Sequence, residues 1–321
     1  MTTVSVVLCT RNGGRHLREQ LASIQRGTRQ PDEVLVLDDD SSDDTVAIVR
    51  DWAEEMPEGV VRIESNRPAL GVTANFERGI RMATGDIVVL SDQDDRWAPN
   101  RVEGAVTLLA SPGALLVHGD ARLIDDAGDP LGATLFDYLG LTATEREAEL
   151  GGRGFEVLLR RNTVTGATAA FRRELRDVAL PIPDGWVHDE WLALLAAARG
   201  GLVLDPAIRV EYRLHGANQI GADRPTLRYR IRRAVGAEAG RTERLARRSR
   251  QLLDRLQALG EPRDVVARAS GKARFEATRA AMPRTRALRV PAVLGLLRSG
   301  GYARFASRGR WDVVRDLLQP R

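Results

Sequence analysis

The stretch Ser91-Asp-Gln-Asp-Asp-Arg-Trp97 puts three carboxylates within four positions, directly after an apolar run at 87–90. The run reads as a buried strand, so the acids leave a strand end together. A folded protein rarely crowds like charges at such a point without a cation to offset them. Asp92 and Asp94, two positions apart, point the same way if strand geometry continues to them. That arrangement suits a hard divalent ion that keeps open positions for phosphate oxygens. A solvated acidic loop has the same local sequence, so the surrounding elements must decide. Trp97 reads as a wall that packs this loop.

Those elements alternate in type. Apolar runs at 4–9, 33–37, 60–63 and 87–90 predict strands. Helical spacing predicts helices at 15–25, 42–54 and 72–82 between them. Repeated β-α-β units predict an α/β fold with a mostly parallel central sheet and helices on both faces. Ligands in such sheets lie beyond the carboxyl ends of the strands. Here those ends carry Thr10-Arg11-Asn12, Asp38-Asp39-Asp40 and 92–95, so three polar clusters should meet on one rim. Further on, a helix after Pro99, a strand at 114–118, a turn at 125–129 and a helix at 155–159 are expected. A strand at 163–171, a helix over 191–198 opened by His188-Asp189-Glu190, and a strand at 208–214 complete this part.

The chain has 321 residues and a net charge of +4, which hides a division. Residues 1–225 hold 24 Lys+Arg against 36 Asp+Glu, and 226–321 hold 24 against 8, so the balances are −12 and +16. The boundary is therefore placed near 225, before a basic, mainly helical C-terminal region with patterns at 241–259 and 263–281 and an apolar run at 290–297. One cysteine, Cys9, excludes an intrachain disulfide and a multi-cysteine metal site. Neither a signal peptide nor an apolar stretch of about 18 residues is legible, which makes a cytoplasmic location the expectation.

Several motifs occur in register. They are Val4-Ser-Val-Val-Leu-Cys-Thr-Arg-Asn12 with Val36-Leu-Asp-Asp-Asp-Ser-Ser-Asp-Asp-Thr45, then Ala83-Thr-Gly-Asp-Ile-Val-Val-Leu-Ser-Asp-Gln-Asp-Asp-Arg-Trp97, then Trp186-Val-His-Asp-Glu-Trp191 with Tyr212-Arg-Leu-His215. Together, over about 3–220, they resemble the family 2 glycosyltransferases, enzymes of the GT-A fold that use nucleotide sugars, and within them a rhamnosyltransferase-like branch. The resemblance implies that Thr10 and Arg11 meet the nucleotide. It implies that Asp39 accepts a hydrogen bond from the ring N–H of uracil or thymine, chemistry an ionised carboxylate can do. Asn66, Gly71, Asn75 and Arg78 match a region framing base and diphosphate, and Asp92 lies near the ribose or the metal's water shell. Asp94 matches the direct ligand of a divalent metal, Mn2+ or Mg2+, and His215 a late histidine that completes the metal shell or contacts the diphosphate. Gln93 departs from the pattern, standing where relatives often have a third acid or a small residue.

Sugar transfer needs positive charge on the departing diphosphate and a base for the acceptor's proton. Asp189 opens a helix at the rim beside Trp186 and Trp191, whose apolar wall would raise its pKa. Asp189 and Glu190 would equally complement a helix dipole, so the residues alone leave both readings open. The resemblance implies that Asp189 is the base, with Glu190, His188 and Trp186 on the acceptor side. Around Asp38–Asp44 the plain expectation is a helix N-cap by Ser41 or Ser42 with Asp43, leaving only Asp39 for binding. His16 and His118 receive no role.

The expected reaction is inverting transfer from a dTDP- or UDP-sugar to a hydroxyl of a glycan, lipid-linked or small-molecule acceptor. The rivals are a sugar nucleotidyltransferase and a catalytically silent partner of a glycan assembly complex. A dinucleotide fold lacks its glycine spacing after the first strand, and a receiver domain lacks its lysine, since Lys272 alone is present. The basic 226–321 region shows no nucleic-acid-binding motif; it reads either as a contact with an anionic membrane surface, peripheral on the inner face, or as a solvated or self-association surface.

Overall fold

The computed structural model describes residues 2–215 and 240–319. They form two compact units. The boundary expected near 225, and 226–239 of the basic region, lie outside the described residues. The second unit also takes in 155–162 and 183–185, which the division at 225 had left in the first. The physical reason is a short helix whose Phe155, Val157, Leu158 and Leu159 are all buried, and whose Glu156 forms an ion pair with Arg268.

In the first unit the strands are β1 (Val4–Thr10), β2 (Glu33–Asp38), β3 (Val61–Ser65), β4 (Ile87–Ser91), β5 (Arg96–Trp97), β6 (Leu116–Gly119), β7 (Arg122–Ile124), β8 (Pro130–Thr134), β9 (Ala170–Arg172), β10 (Leu202–Asp205) and β11 (Val210–Arg213). Seven make a sheet in the order β10-β6-β9-β4-β1-β2-β3, parallel except for β9, which runs antiparallel to β4 and β6. Val4, Val6, Val7 and Leu8 of β1 are all fully buried, because both sheet faces are covered. On one face pack α1 (Gly14–Gln25), through Leu17, Leu21 and Ile24, and α2 (Thr45–Glu54), through Ile48, Val49 and Trp52. On the other lies α3 (Val72–Met82). A Cβ at Gly79 of α3 would stand 2.5 Å from Val7 Cγ1 and 2.9 Å from Leu37 Cδ2, so that helix sits closer than an alanine permits.

Three expectations change. The strand expected at 163–171 is only Ala170–Arg172; before it Gly166–Thr168 turns as a 3-10 helix, and the Gly166 N–H goes to a side chain instead of a ladder. The strand expected at 208–214 pairs outside the main sheet, in a four-stranded sheet ordered β5-β11-β7-β8. The helix expected from 42 starts at Thr45, and neither serine caps it. Ser41 Oγ donates to Asp38, the Ser42 N–H donates to Asn12, and Asp43 Oδ1 takes the Thr45 N–H.

The rest of the first unit is helical: α4 (Arg101–Leu109), α5 (Leu135–Leu139), α6 (Ala143–Leu150), α7 (Gly154–Arg160, most of it in the second unit), α8 (Arg173–Ala179) and α9 (His188–Ala198). The second unit continues with α10 (Arg241–Ala258), α11 (Arg263–Ala280), α12 (Val290–Arg298), α13 (Gly301–Phe305) and α14 (Arg310–Leu318). Its apolar cluster holds Phe275, Met282, Val293 and Tyr302. Inside it run buried ion pairs: Lys272 to Glu276 at 2.7 Å, and Arg279 to Glu276 at 3.0 Å and to Asp316 at 2.7 Å.

Candidate active site

Parallel pairing fixes the rim. Thr10 lies opposite Asp38, Asp38 opposite Ser65, and Leu8 opposite Ser91, so the chain leaves β1, β2, β3 and β4 along one edge. At the β1 exit Thr10 is buried and donates to Asp38 Oδ1 at 3.1 Å. Arg11 is exposed, and its backbone is gripped at both ends by Gln93, which accepts its N–H at 2.8 Å and donates to its carbonyl at 3.1 Å. Gln93, flagged in the sequence only as a departure, thus ties the acidic loop to β1. Asn12 turns the chain at φ 49, a left-handed conformation that asparagine tolerates.

At the β2 exit, Asp39 accepts the N–H groups of Leu70 (2.7 Å) and Gly71 (2.8 Å) and the amide of Asn66 (2.9 Å). Burial alone pushes its carboxyl up, but those hydrogen bonds and the charge of Arg11 outweigh it and hold the pKa below the usual range. Asn66 also donates to Asn75 at 2.7 Å and accepts from Arg78 at 2.6 Å, and Arg78 pairs with Glu64 at 2.7 Å. Asn75 in turn donates to the Leu37 carbonyl at 2.8 Å. Asn66 and Gly71 thus bond Asp39 directly, while Asn75 and Arg78 hold Asn66, a connected support that keeps the carboxylate ionised.

At the β4 exit, burial and then the charges of Asp94 and Asp189 push Asp92 up to about 7. Asp94 Oδ2 lies 2.8 Å from His215 Nε2, so two residues 121 positions apart meet. Arg213 of β11 is the anchor of this loop. It donates to the Asp94 carbonyl at 2.8 Å, to Asp95 through its own N–H at 3.0 Å, and to Glu19 at 2.6 Å, and it is 1% exposed. Sequence reasoning quoted Arg213 inside a motif but gave it no role. His16 was likewise passed over; it bonds Asp126 at 3.0 Å and its ring lies 5.5 Å from that of His215. Nothing in the spacing of α1 signals that encounter. His118 does lie elsewhere, buried 3.1 Å from Glu149. Trp97 is buried under the guanidinium of Arg101.

Asp189 stands in the first turn of α9 and is 4% exposed. One oxygen accepts the Gly166 N–H at 2.9 Å and the other the Glu190 N–H at 2.6 Å. Burial nevertheless raises its carboxyl to about 6. Its charge is the least of the three influences that raise Asp92, after burial and Asp94. His188 stacks on Phe76 with ring centroids 4.0 Å apart, and burial lowers it to about 3, so it is a neutral imidazole. Trp186 is buried against Trp191 at 5.0 Å between centroids, while Glu190 is half-buried.

A divalent cation fits these residues. Asp94 and His215 supply a hard oxygen and an imidazole side by side, and Asp92, raised by burial first and then by its acidic neighbours, lies two positions from Asp94. Among the described residues no group of three such side chains is poised around one point. The donor set thus suits an ion that takes much of its shell from diphosphate and water.

The sequence model of the glycosyl transferase family 2 matches residues 5–178. A dTDP-rhamnosyl transferase, RfbG, of Shigella flexneri is 25% identical over 229 residues, covering 67% of this chain and 74% of its own. The chain spans less than two thirds of the length of several other curated relatives that it matches, 42% and 47% for two of them. Among solved structures, TarS of S. aureus in complex with UDP-GlcNAc superposes with a TM-score of 0.57 at 15% identity, over 98% of this chain and 89% of that one. The mannosyltransferase PcManGT of Pyrobaculum calidifontis, in complex with GDP-Man and Mn2+, gives 0.50 at 21% identity, over 99% and 84%. These two likenesses concern the GT-A-type fold. The family match extends over more than half of the chain, through the β1, β2 and β4 exits, and the chain belongs to the glycosyl transferase family 2.

Proposed function

We propose that this glycosyltransferase is inverting and metal-dependent and takes a pyrimidine nucleotide sugar, a dTDP- or UDP-sugar, as donor. The acceptor is a hydroxyl of a glycan, a lipid-linked glycan or a small molecule. One observation supports the reading: the carboxyl of Asp189 is buried and raised, and its charge acts on Asp92, two positions from the Asp94 that pairs with His215. Asp189 takes the acceptor proton while the acceptor oxygen bonds to the anomeric carbon and the bond to the diphosphate breaks. A single base opposite the leaving group gives direct displacement and inversion. Asp94 and His215 would hold a divalent cation, which when bound neutralises charge on the departing diphosphate. Thr10 and Arg11 lie at the nucleotide side, and Asp39, kept ionised, accepts from the pyrimidine N–H. The name of the Shigella relative supports dTDP, whereas the GDP-Man complex of the mannosyltransferase warns that the fold alone does not choose the base.

The test is calorimetric titration of UDP, dTDP, GDP and CDP in the presence of Mn2+. Uracil and thymine present a ring N–H to Asp39, whereas cytosine presents a lone pair there and meets repulsion. UDP and dTDP are expected to bind about tenfold or more tightly than CDP, since an unpaired or repelled polar group costs about 1–3 kcal/mol. Asp39→Asn, whose amide can donate to cytosine, should bring UDP and CDP to near parity. Equal affinity of the wild-type protein for UDP and CDP would sink the pyrimidine reading.

A further inference from the structure

The outward faces of α12 and α14 carry an unusual surface. Val290, Leu294 and Leu297 of α12 are exposed at i, i+4 and i+7, and Trp311, Val314 and Leu318 of α14 at i, i+3 and i+7. Each spacing forms one stripe along its helix. The opposite faces are also apolar: Val293 and Leu296 of α12 and Val313 and Leu317 of α14 share the cluster around Phe275 and Tyr302. Helices that need only one apolar face for folding therefore present a second one, on neighbouring elements.

Charge narrows the occupant. Residues 281–319 contain two acids, Asp312 and Asp316, both buried at 0% and 4% exposure. Asp316 is taken up by Arg279 and Tyr302, at 2.7 Å each. The exposed charges of this segment are all positive: Arg284, Arg286, Arg298, Arg304 and Arg308. A second copy docking through the same face would bring arginines against arginines with no acid to offset them. An anionic lipid surface supplies both missing partners, an apolar layer for the stripes and negative headgroups for the arginines. No helix among the described residues is long and apolar enough to cross a membrane, so the contact is one of lying on the surface.

We propose that the α12–α14 face docks on an anionic membrane surface, with Trp311, Leu294 and Leu297 entering the headgroup–acyl boundary. This stands apart from the donor and catalytic reading and survives if that reading fails.

Trp311 is a built-in reporter: it is 66% exposed, whereas Trp52, Trp97, Trp186 and Trp191 are at most 7% exposed. The full-length chain is titrated with vesicles of phosphatidylglycerol and phosphatidylcholine, and with phosphatidylcholine alone. The expected result is a blue shift of Trp emission, and quenching by chain-brominated lipid, with the anionic vesicles only. Leu294→Glu/Leu297→Glu should lower the partition coefficient about tenfold or more, with circular dichroism and melting temperature unchanged because both side chains are exposed. Trp311→Phe should abolish the shift while vesicle sedimentation persists. Three outcomes overturn the proposal: no association with anionic vesicles at about 0.1 M salt, association that the double variant leaves intact, or a blue shift that follows protein concentration without lipid. The last would make the face a contact between copies, and the first would leave an acidic protein as its partner.

Discussion

Asp189→Asn lowers turnover by about 10²–10⁴-fold, the range expected when a positioned base is removed, and leaves nucleoside diphosphate affinity close to that of the wild type. The two effects separate if Asp189 is the base of the proposed reaction, because it is not among the groups gathered around Asp39. Asparagine keeps the shape but has one acceptor oxygen, whereas Asp189 takes two backbone N–H groups, those of Gly166 and Glu190. One donor is left unmatched, at about 1–3 kcal/mol of stability, so a moderate fall in melting temperature accompanies the loss and does not explain it. The pH profile gives a second readout. Burial raises the carboxyl to about 6, and only the ionised form accepts a proton. For the wild-type enzyme kcat/KM should therefore be flat above that pKa and fall about tenfold per pH unit below it. In Asp189→Asn this acid limb disappears from whatever residual activity remains. Turnover within tenfold of wild type would remove Asp189 from the role of base, and a silent partner would show no dependence on this residue at all.

The parts of the fold legible in sequence were those whose physics is local. β1, β2 and β4 are buried on both faces, so they read as unbroken apolar runs, and α1 to α3 show helical spacing because each buries one stripe. β8 is mostly exposed and β9 has three residues, so neither leaves a periodic signal. The second sheet was missed for the same reason: β5 has two residues and β7 three. At the site, the acids were visible as types and spacing, but their use was not. Asp38 and Asp39 are neighbours with opposite tasks, one tied to Thr10 and Ser41 and the other holding the 66–71 loop. Arg213 looks like any surface arginine in sequence, yet it is buried and joins β11 to Asp94, Asp95 and Glu19, partners up to 194 positions away. α10 and α11 announced themselves by periodicity and α12 as an apolar run, whereas α13 and α14 did not, and the burial of Arg279 and Asp316 follows from packing alone.

Asp94→Ala should abolish the gain in nucleoside diphosphate affinity that Mn2+ is expected to give the wild-type protein, and lower turnover by about 10²–10³-fold, the several kcal/mol of charge stabilisation a cation supplies to a leaving diphosphate. The sharper expectation concerns binding without metal. Asp94 is one of the charges that raise Asp92, and both acids face the place a diphosphate would occupy in this reading. Removing Asp94 relieves that repulsion, so in the presence of EDTA the variant should bind UDP as tightly as the wild type or more tightly. With Mn2+ the order reverses. His215→Ala should weaken the Mn2+ gain without raising affinity in EDTA, because its 2.8 Å contact with Asp94 orients that carboxylate and its removal takes away no negative charge. A crossing of the two affinity series between EDTA and Mn2+ distinguishes lost ligation from damage to the acidic loop, since damage lowers affinity under both conditions. If wild type and Asp94→Ala respond to Mn2+ equally, the cation is not held at Asp94.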